Sequence, residues 1–181
     1  MRLFIAIELP EEAKEELRKA QQQLPNGKLS LAKELHITLK FLGEVTPDRA
    51  DEVREKLQKV KFEAFKAKLD SAGFFPSEKY IRVIWAGIKP EEETIKLQKE
   101  IDSAICKEFP YDYKFSPHIT LARVKFVDDK KEFIQQLKKI KLEKINFKVD
   151  FFKLKKSILR GNEGPAYEDL QVYNSSLTKS L

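Results

Sequence analysis

The tetrapeptide His-Ile-Thr-Leu occurs twice in this chain of 181 residues, at His36 to Leu39 and at His118 to Leu121, and no other histidine is present. If residues were drawn independently at ordinary frequencies, the same three residues would follow both histidines in roughly one chain in several thousand. The match extends well past the tetrapeptides. Arg2, Ala6, Pro10, Glu11 and Glu12 recur as Arg82, Ala86, Pro90, Glu91 and Glu92, a constant shift of 80 residues, and the two motifs lie 82 apart. The stretch 47–60 corresponds to 128–140, and Phe62, Phe65 and Leu69 correspond to Phe147, Phe151 and Leu154. Each half therefore reads strand, helix, motif strand, helix, strand. A period of about 80 residues is too long for a solenoid and suits a duplicated half-domain. Duplicated halves pack about a pseudo-two-fold axis, so the histidines are expected to face each other across a cleft. The competing reading keeps the duplication and makes the histidines structural, because fold and function separate readily.

With 41% hydrophobic residues and 13 Phe the chain can bury a proper core. It is expected to form one bilobal α+β domain over residues 1–181, with repeats at about 1–80 and 81–160 and a closing strand within 161–181. Residues 35–42 alternate strictly, which places Leu35, Ile37, Leu39 and Phe41 on a core face and His36, Thr38 and Lys40 on the other. The second motif repeats this within a strand from about Phe115 to Val124. Pro10-Glu11-Glu12 opens one helix, Thr46-Pro47 a second with Thr46 as N-cap, and Pro90 a third running to about Phe109, where Pro110 ends it. A fourth helix covers 128–139. The remaining strands are expected at about 62–75, 79–88, 144–159 and 167–175, with a turn at Gly161 to Pro165.

No apolar run approaches the roughly 18 to 20 residues that span a bilayer, and no cleavable leader follows Met1, so a soluble, cytoplasmic protein is expected. A monomer is the expected state. One cysteine, Cys106, allows no internal disulfide and no cysteine metal cluster, and it reads as a small buried hydrophobe. Two isolated histidines without acids at ligand spacing argue against a metal site, and no cofactor is implied. The formal charge of +6 favours polyanions, although Lys and Glu interspersed along helices usually form a solvated face.

Histidine titrates near neutrality, so two facing imidazoles can hold opposite protonation states at one pH. On a strand, residues i and i+2 project from one face about 7 Å apart, so each histidine and its threonine can reach the same ligand. A phosphate between the two pairs would meet an imidazole and a hydroxyl from each side. This arrangement suits in-line displacement at phosphorus, with one histidine as general base and the other as general acid, and a strained cyclic phosphodiester is the natural substrate. The motifs are identical, so spacing alone leaves open which histidine does which. Arg123 would suit a phosphate, but strict alternation puts it on the Ile119/Leu121 face, and it reaches the cleft only if the strand bulges. Lys40 reads as a solvated surface lysine. Phe74, Phe75, Tyr80, Tyr111 and Tyr113 are candidate platforms for a base, with none preferred.

The chain resembles the 2H phosphoesterase superfamily, and within it the RNA 2′,3′-cyclic phosphodiesterase (2′-5′ RNA ligase-like) family. The likeness runs through Arg2 to Pro10, Leu35 to Gly43, Arg82 to Gly87, Phe115 to Arg123 and Gly164 to Tyr167. It implies a pseudo-symmetric fold with a cleft between concave antiparallel sheets, helices outside, and metal-free hydrolysis of an RNA 2′,3′-cyclic phosphate end, tRNA fragments included, to a 2′-phosphomonoester. It further implies His36 as proton donor, His118 as proton acceptor, and Thr38, Thr120 and Arg123 as phosphate-binding residues. The stretch Lys28 to Lys33 lacks the Trp and Pro often found before the first motif. Three alternatives stay open at this stage: a non-catalytic RNA-end or tRNA-binding module, 2′-5′ RNA joining, and hydrolysis of a small cyclic nucleotide.

Overall fold

Strand and helix alternate in chain order as β1 (Arg2–Glu8), α1 (Glu11–Gln22), β2 (Lys28–Leu31), β3 (His36–Glu44), α2 (Pro47–Leu57), β4 (Phe65–Ser77), β5 (Tyr80–Lys89), α3 (Glu91–Ile105), β6 (Ile119–Phe126), α4 (Lys130–Leu137), β7 (Asn146–Val149), β8 (Phe151–Leu159) and β9 (Pro165–Asn174). The computed structural model describes residues 1–159 and 164–176. Residues 161–163 of the expected turn, and the end of the closing segment beyond residue 176, lie outside the described residues.

The strands form one curled antiparallel sheet in the order β7-β4-β5-β6-β3-β1-β8-β9, with β2 paired to β6. The class is α+β, as the mixed pattern predicted. The motif strands β3 and β6 meet at the centre of this order through a single residue pair, Ile37 with Ile119. On one side β3 continues into β1, β8 and β9, and on the other β6 continues into β5, β4 and β7, so the junction divides the sheet into two wings.

The halves are not contiguous in space. β4, from the first repeat, pairs with β5 and β7, while β8, from the second, pairs with β1 and β9. The single strand expected over residues 144–159 is therefore two strands on opposite sides of the sheet, broken at Asp150. Pairing also sets Ala6 opposite Thr38 and Trp85 opposite Thr120, so β1 and β5 are related with Ala6 matching Trp85 rather than Ala86.

The core is apolar where the alternation predicts. Leu3, Ile5 and Ile7 of β1, Ile37 and Leu39 of β3, and Ile119 and Leu121 of β6 are almost wholly excluded from solvent. Against them pack Ala13, Leu17 and Ala20 of α1 and Leu97, Ile101 and Ile105 of α3, each set spaced at three or four residues along its helix. Helix α3 stops at Ile105, short of Pro110, and Cys106 at its C-cap is exposed rather than buried. Residues 28–31, for which no strand was expected, add the short strand β2 beside β6. Thr46 stands at the N-cap of α2, with Pro47 in the first turn and no side-chain cap bond.

Candidate active site

Two bulges decide which side chains reach the cleft. Along β3 the pairing steps from Thr38 opposite Ala6 to Lys40 opposite Ile5, leaving Leu39 as an extra residue. Along β6 it steps from Thr120 opposite Trp85 to Ala122 opposite Ile84, leaving Leu121 extra. Both fall on the last residue of the His-Ile-Thr-Leu motif. An extra residue reverses the side-chain parity beyond it. Leu39 and Lys40 are consequently both buried, as are Leu121 and Ala122, and the next residue in each strand returns to the histidine face. That residue is Phe41 in the first motif and Arg123 in the second.

Phe41 is therefore 68% exposed and does not belong to the core as strict alternation required. A second bulge at Leu42 follows, beside Gly43 at φ +71, a backbone conformation that glycine adopts at little cost. Arg123 joins Thr120 and His118 on one face, meeting the condition that alternation imposed on it. Lys40 is no surface lysine. It is 7% exposed, and its ammonium contacts the carboxylate of Asp102 on α3 and the Pro110 carbonyl oxygen at 2.6 Å.

The junction sets the geometry of the two motifs. Because Ile37 opposes Ile119 in antiparallel sense, His36 falls opposite Thr120 and Thr38 opposite His118, all four on the face away from the core. In a regular ladder, side chains placed this way are about 5 Å apart across the strands and about 7–8 Å along the diagonal that joins the two histidines. That diagonal spans one phosphate group.

The imidazoles stand in different surroundings. His118 precedes β6, and its Nδ1 lies 2.8 Å from the Ser116 carbonyl oxygen. A carbonyl only accepts, so Nδ1 carries the hydrogen and, in the neutral ring, Nε2 is left with its lone pair free. Phe75 meets this ring edge-on at 5.1 Å and in turn contacts Trp85 at 5.0 Å. His36 is more enclosed, with Phe4 at 5.2 Å and Tyr167 edge-on at 5.4 Å. Burial lowers its pKa from the ordinary 6.5 to about 4; Lys155, Lys14 and His118 push the same way and Glu8 opposes them. Glu8 faces His36 across β1 and β3 and is held by Lys14, Lys155 and Lys153, while Asp169 bonds Lys153 and Lys155, each at 2.6 Å. Burial raises the Glu8 pKa, but the Lys14 and Lys155 bonds outweigh it and hold the carboxyl below its usual value. Burial raises the pKa of the Tyr167 phenol despite the nearby Arg123 charge, so that hydroxyl stays protonated as a donor.

The two ends of the cleft differ chemically. A cavity of about 430 Å³ opens beside His118 and Thr38, walled by Phe41, Phe75 and Phe115 with Lys114 at hand. The His36 end carries Tyr167 and Arg123. Among the described residues no three His, Cys, Asp or Glu side chains gather as a metal-binding group.

The profile of the LigT-like phosphoesterase family matches residues 7–85 and again residues 87–167. The chain belongs to this family. A relative from Methanocaldococcus jannaschii, an RNA 2′,3′-cyclic phosphodiesterase, is 39% identical, covering 96% of this chain and all of the other. Among solved structures, TT0787 of Thermus thermophilus superimposes with a TM-score of 0.80 at 28% identity over 96% of this chain and 97% of that one. Escherichia coli LigT complexed with 3′-AMP gives 0.75 at 26% identity, covering 97% and 98%. As a LigT-like phosphoesterase the protein is a phosphodiesterase, of the 2H phosphoesterase superfamily that its paired motifs resemble.

The five residues singled out from sequence, His36, Thr38, His118, Thr120 and Arg123, thus share one face. Sequence reasoning missed Phe41 as a cleft residue and left Phe75 undistinguished among several aromatics. Tyr167 entered only as part of the family resemblance. The signal that could have found Phe41 is the motif itself, because it occupies the position that Arg123 occupies in the second copy.

Proposed function

We propose that this phosphodiesterase hydrolyses RNA 2′,3′-cyclic phosphate ends to 2′-phosphomonoesters by metal-free acid/base catalysis, with His118 as proton acceptor and His36 as proton donor. The observation that carries the reading is the Nδ1 bond of His118 to Ser116, which puts a hydrogen on Nδ1 and leaves Nε2 as the nitrogen that can accept a proton in the neutral ring. The names of the relatives supply the substrate class. A water takes the His118 side of the phosphate and loses its proton to Nε2 as its oxygen bonds to phosphorus. The bond from phosphorus to the 3′ oxygen breaks on the opposite side, and that oxygen takes the His36 proton. Thr38, Thr120 and Arg123 donate to the non-bridging oxygens, where charge accumulates.

His36 is neutral at pH 7 in the free protein, since its pKa is about 4. An anionic phosphate beside it raises that pKa, so substrate and proton bind together. The test is an oligoribonucleotide ending in a 2′,3′-cyclic phosphate, incubated with the protein in EDTA and followed by phosphorus NMR. A 2′-phosphate product is expected; no product, or activity abolished by the chelator, overturns the scheme.

A second reading keeps the site and replaces water. The cavity beside His118 is roomy enough for more than one water and is walled by aromatic rings, which favours a nucleoside 5′-hydroxyl as nucleophile and hence 2′-5′ joining. Adding a 5′-hydroxyl oligonucleotide and looking for a lengthened product tests it.

A further inference from the structure

Lys40 and Asp102 form a buried pair that the reaction scheme does not use. Asp102 is 2% exposed, and its carboxylate is fully engaged: one oxygen meets the Lys40 ammonium, the other accepts from Gln98 Nε2 at 2.8 Å and from the Asp112 backbone N–H at 2.8 Å. Lys40 in turn donates to the Pro110 carbonyl at 2.6 Å. The pair thus holds the segment after α3 at two backbone points, Pro110 and Asp112. Four residues beyond Asp112 is Ser116, whose carbonyl fixes the His118 ring. Lys114, Phe115 and Ser116 of this same segment line the cavity beside that ring. Lys40 itself belongs to the first motif strand, two residues from Thr38.

A buried ion pair is seldom the cheapest way to fill a core, since an apolar pair of similar volume is often as stable or more so. Its advantage is directional, as two charged groups with four bonds between them specify where a loop goes. We infer that Lys40 and Asp102 are positioning residues for the general base: they register the 110–118 segment against the first motif, so that the Ser116 carbonyl selects the His118 tautomer and orients its Nε2. The role rests on the proposed function in that it assigns His118 the base, but the geometry it claims is observable without substrate.

The double substitution Lys40→Met with Asp102→Asn removes both charges together and leaves neither orphaned. Nitrogen-15 NMR of the imidazole reads the tautomer directly. In the wild type His118 is expected to carry its hydrogen on Nδ1; in the double variant it shifts toward the Nε2–H form, and kcat on a cyclic-phosphate oligonucleotide falls about 10- to 100-fold, the usual consequence of misplacing a catalytic group by about 1 Å. A variant that is merely less stable, with the His118 tautomer and kcat unchanged, overturns the inference, as does a loss of kcat with the tautomer intact. If the wild type itself turns over no substrate, the proposed function fails while the tautomer measurement still judges the strut. Should the double variant not fold, hydrogen exchange on the wild type decides: an Asp112 amide protected like those of β3 supports the strut, and exchange at the rate of a free amide overturns it.

Discussion

Ile37 and Ile119 are cross-strand partners at the one point where the two motif strands join, and both are fully buried. Everything on the opposite face follows from that contact. Antiparallel pairing at this point carries each histidine opposite the other motif's threonine and sets the two imidazoles on a diagonal. The repeat produces a site because its copies touch at the motif itself.

The shared face predicts that His36→Ala and His118→Ala each lower kcat by about 10² to 10⁴, the contribution of a positioned acid or base. Steady-state rates on a cyclic-phosphate oligonucleotide check this. Either variant retaining wild-type turnover would remove that histidine from the mechanism.

Stability should respond to the enclosure of His36. Its folded pKa of about 4 lies below the ordinary 6.5, so the unfolded chain takes up a proton that the folded one refuses. The stabilisation is complete above pH 6.5 and is lost as pH falls toward about 4, up to about 3 kcal/mol for a shift of this size. Denaturant unfolding at pH 7 and pH 5 should show the wild type losing more than His36→Gln. Equal losses would mean that the ring titrates normally.

After burial itself, Lys155 is the neighbour that acts most strongly on His36, in the direction of a lower pKa. Lys155→Met should raise the His36 pKa, and Glu8→Gln should lower it further. Proton NMR titration of the imidazole checks both signs.

The bulge at Leu39 separates two truncations that simple alternation would treat alike. Leu39 is 1% exposed, and Leu39→Ala should cost about 2–5 kcal/mol. Phe41→Ala, at an exposed cleft position, should cost less than about 1 kcal/mol. Denaturant unfolding of the two variants checks the contrast, and a large loss at Phe41 would restore it to the core.

Gly73 faces Trp85 across β4 and β5, and a Cβ there would collide with the indole. Gly73→Ala displaces Trp85, which contacts Phe75, whose ring in turn touches His118. A loss of about 1–3 kcal/mol in stability is expected, together with reduced kcat. Unchanged kcat would show that the indole is displaced away from the site.

The repeated tetrapeptide, the period of apolar residues and the helix starts were all readable from the chain, because each depends on residues within a few positions of one another. His36, Thr38, His118 and Thr120 could be placed on strand faces from alternation alone. What alternation could not supply was the extra residue at Leu39 and at Leu121, since a bulge is created by the register of a partner strand distant in sequence. That register brought Arg123 into the cleft, turned Phe41 outward and buried Lys40 against Asp102, 62 residues away. The crossing of β8 to the β1 side of the sheet is of the same kind: residues 144–159 look continuous locally, and only pairing with β1 and β4 divides them. The lowered pKa of His36 likewise comes from burial and from groups that approach through space, Lys155 foremost with Glu8 opposing. Local pattern names the reacting groups; long-range pairing and burial decide their direction, their proton and their neighbours.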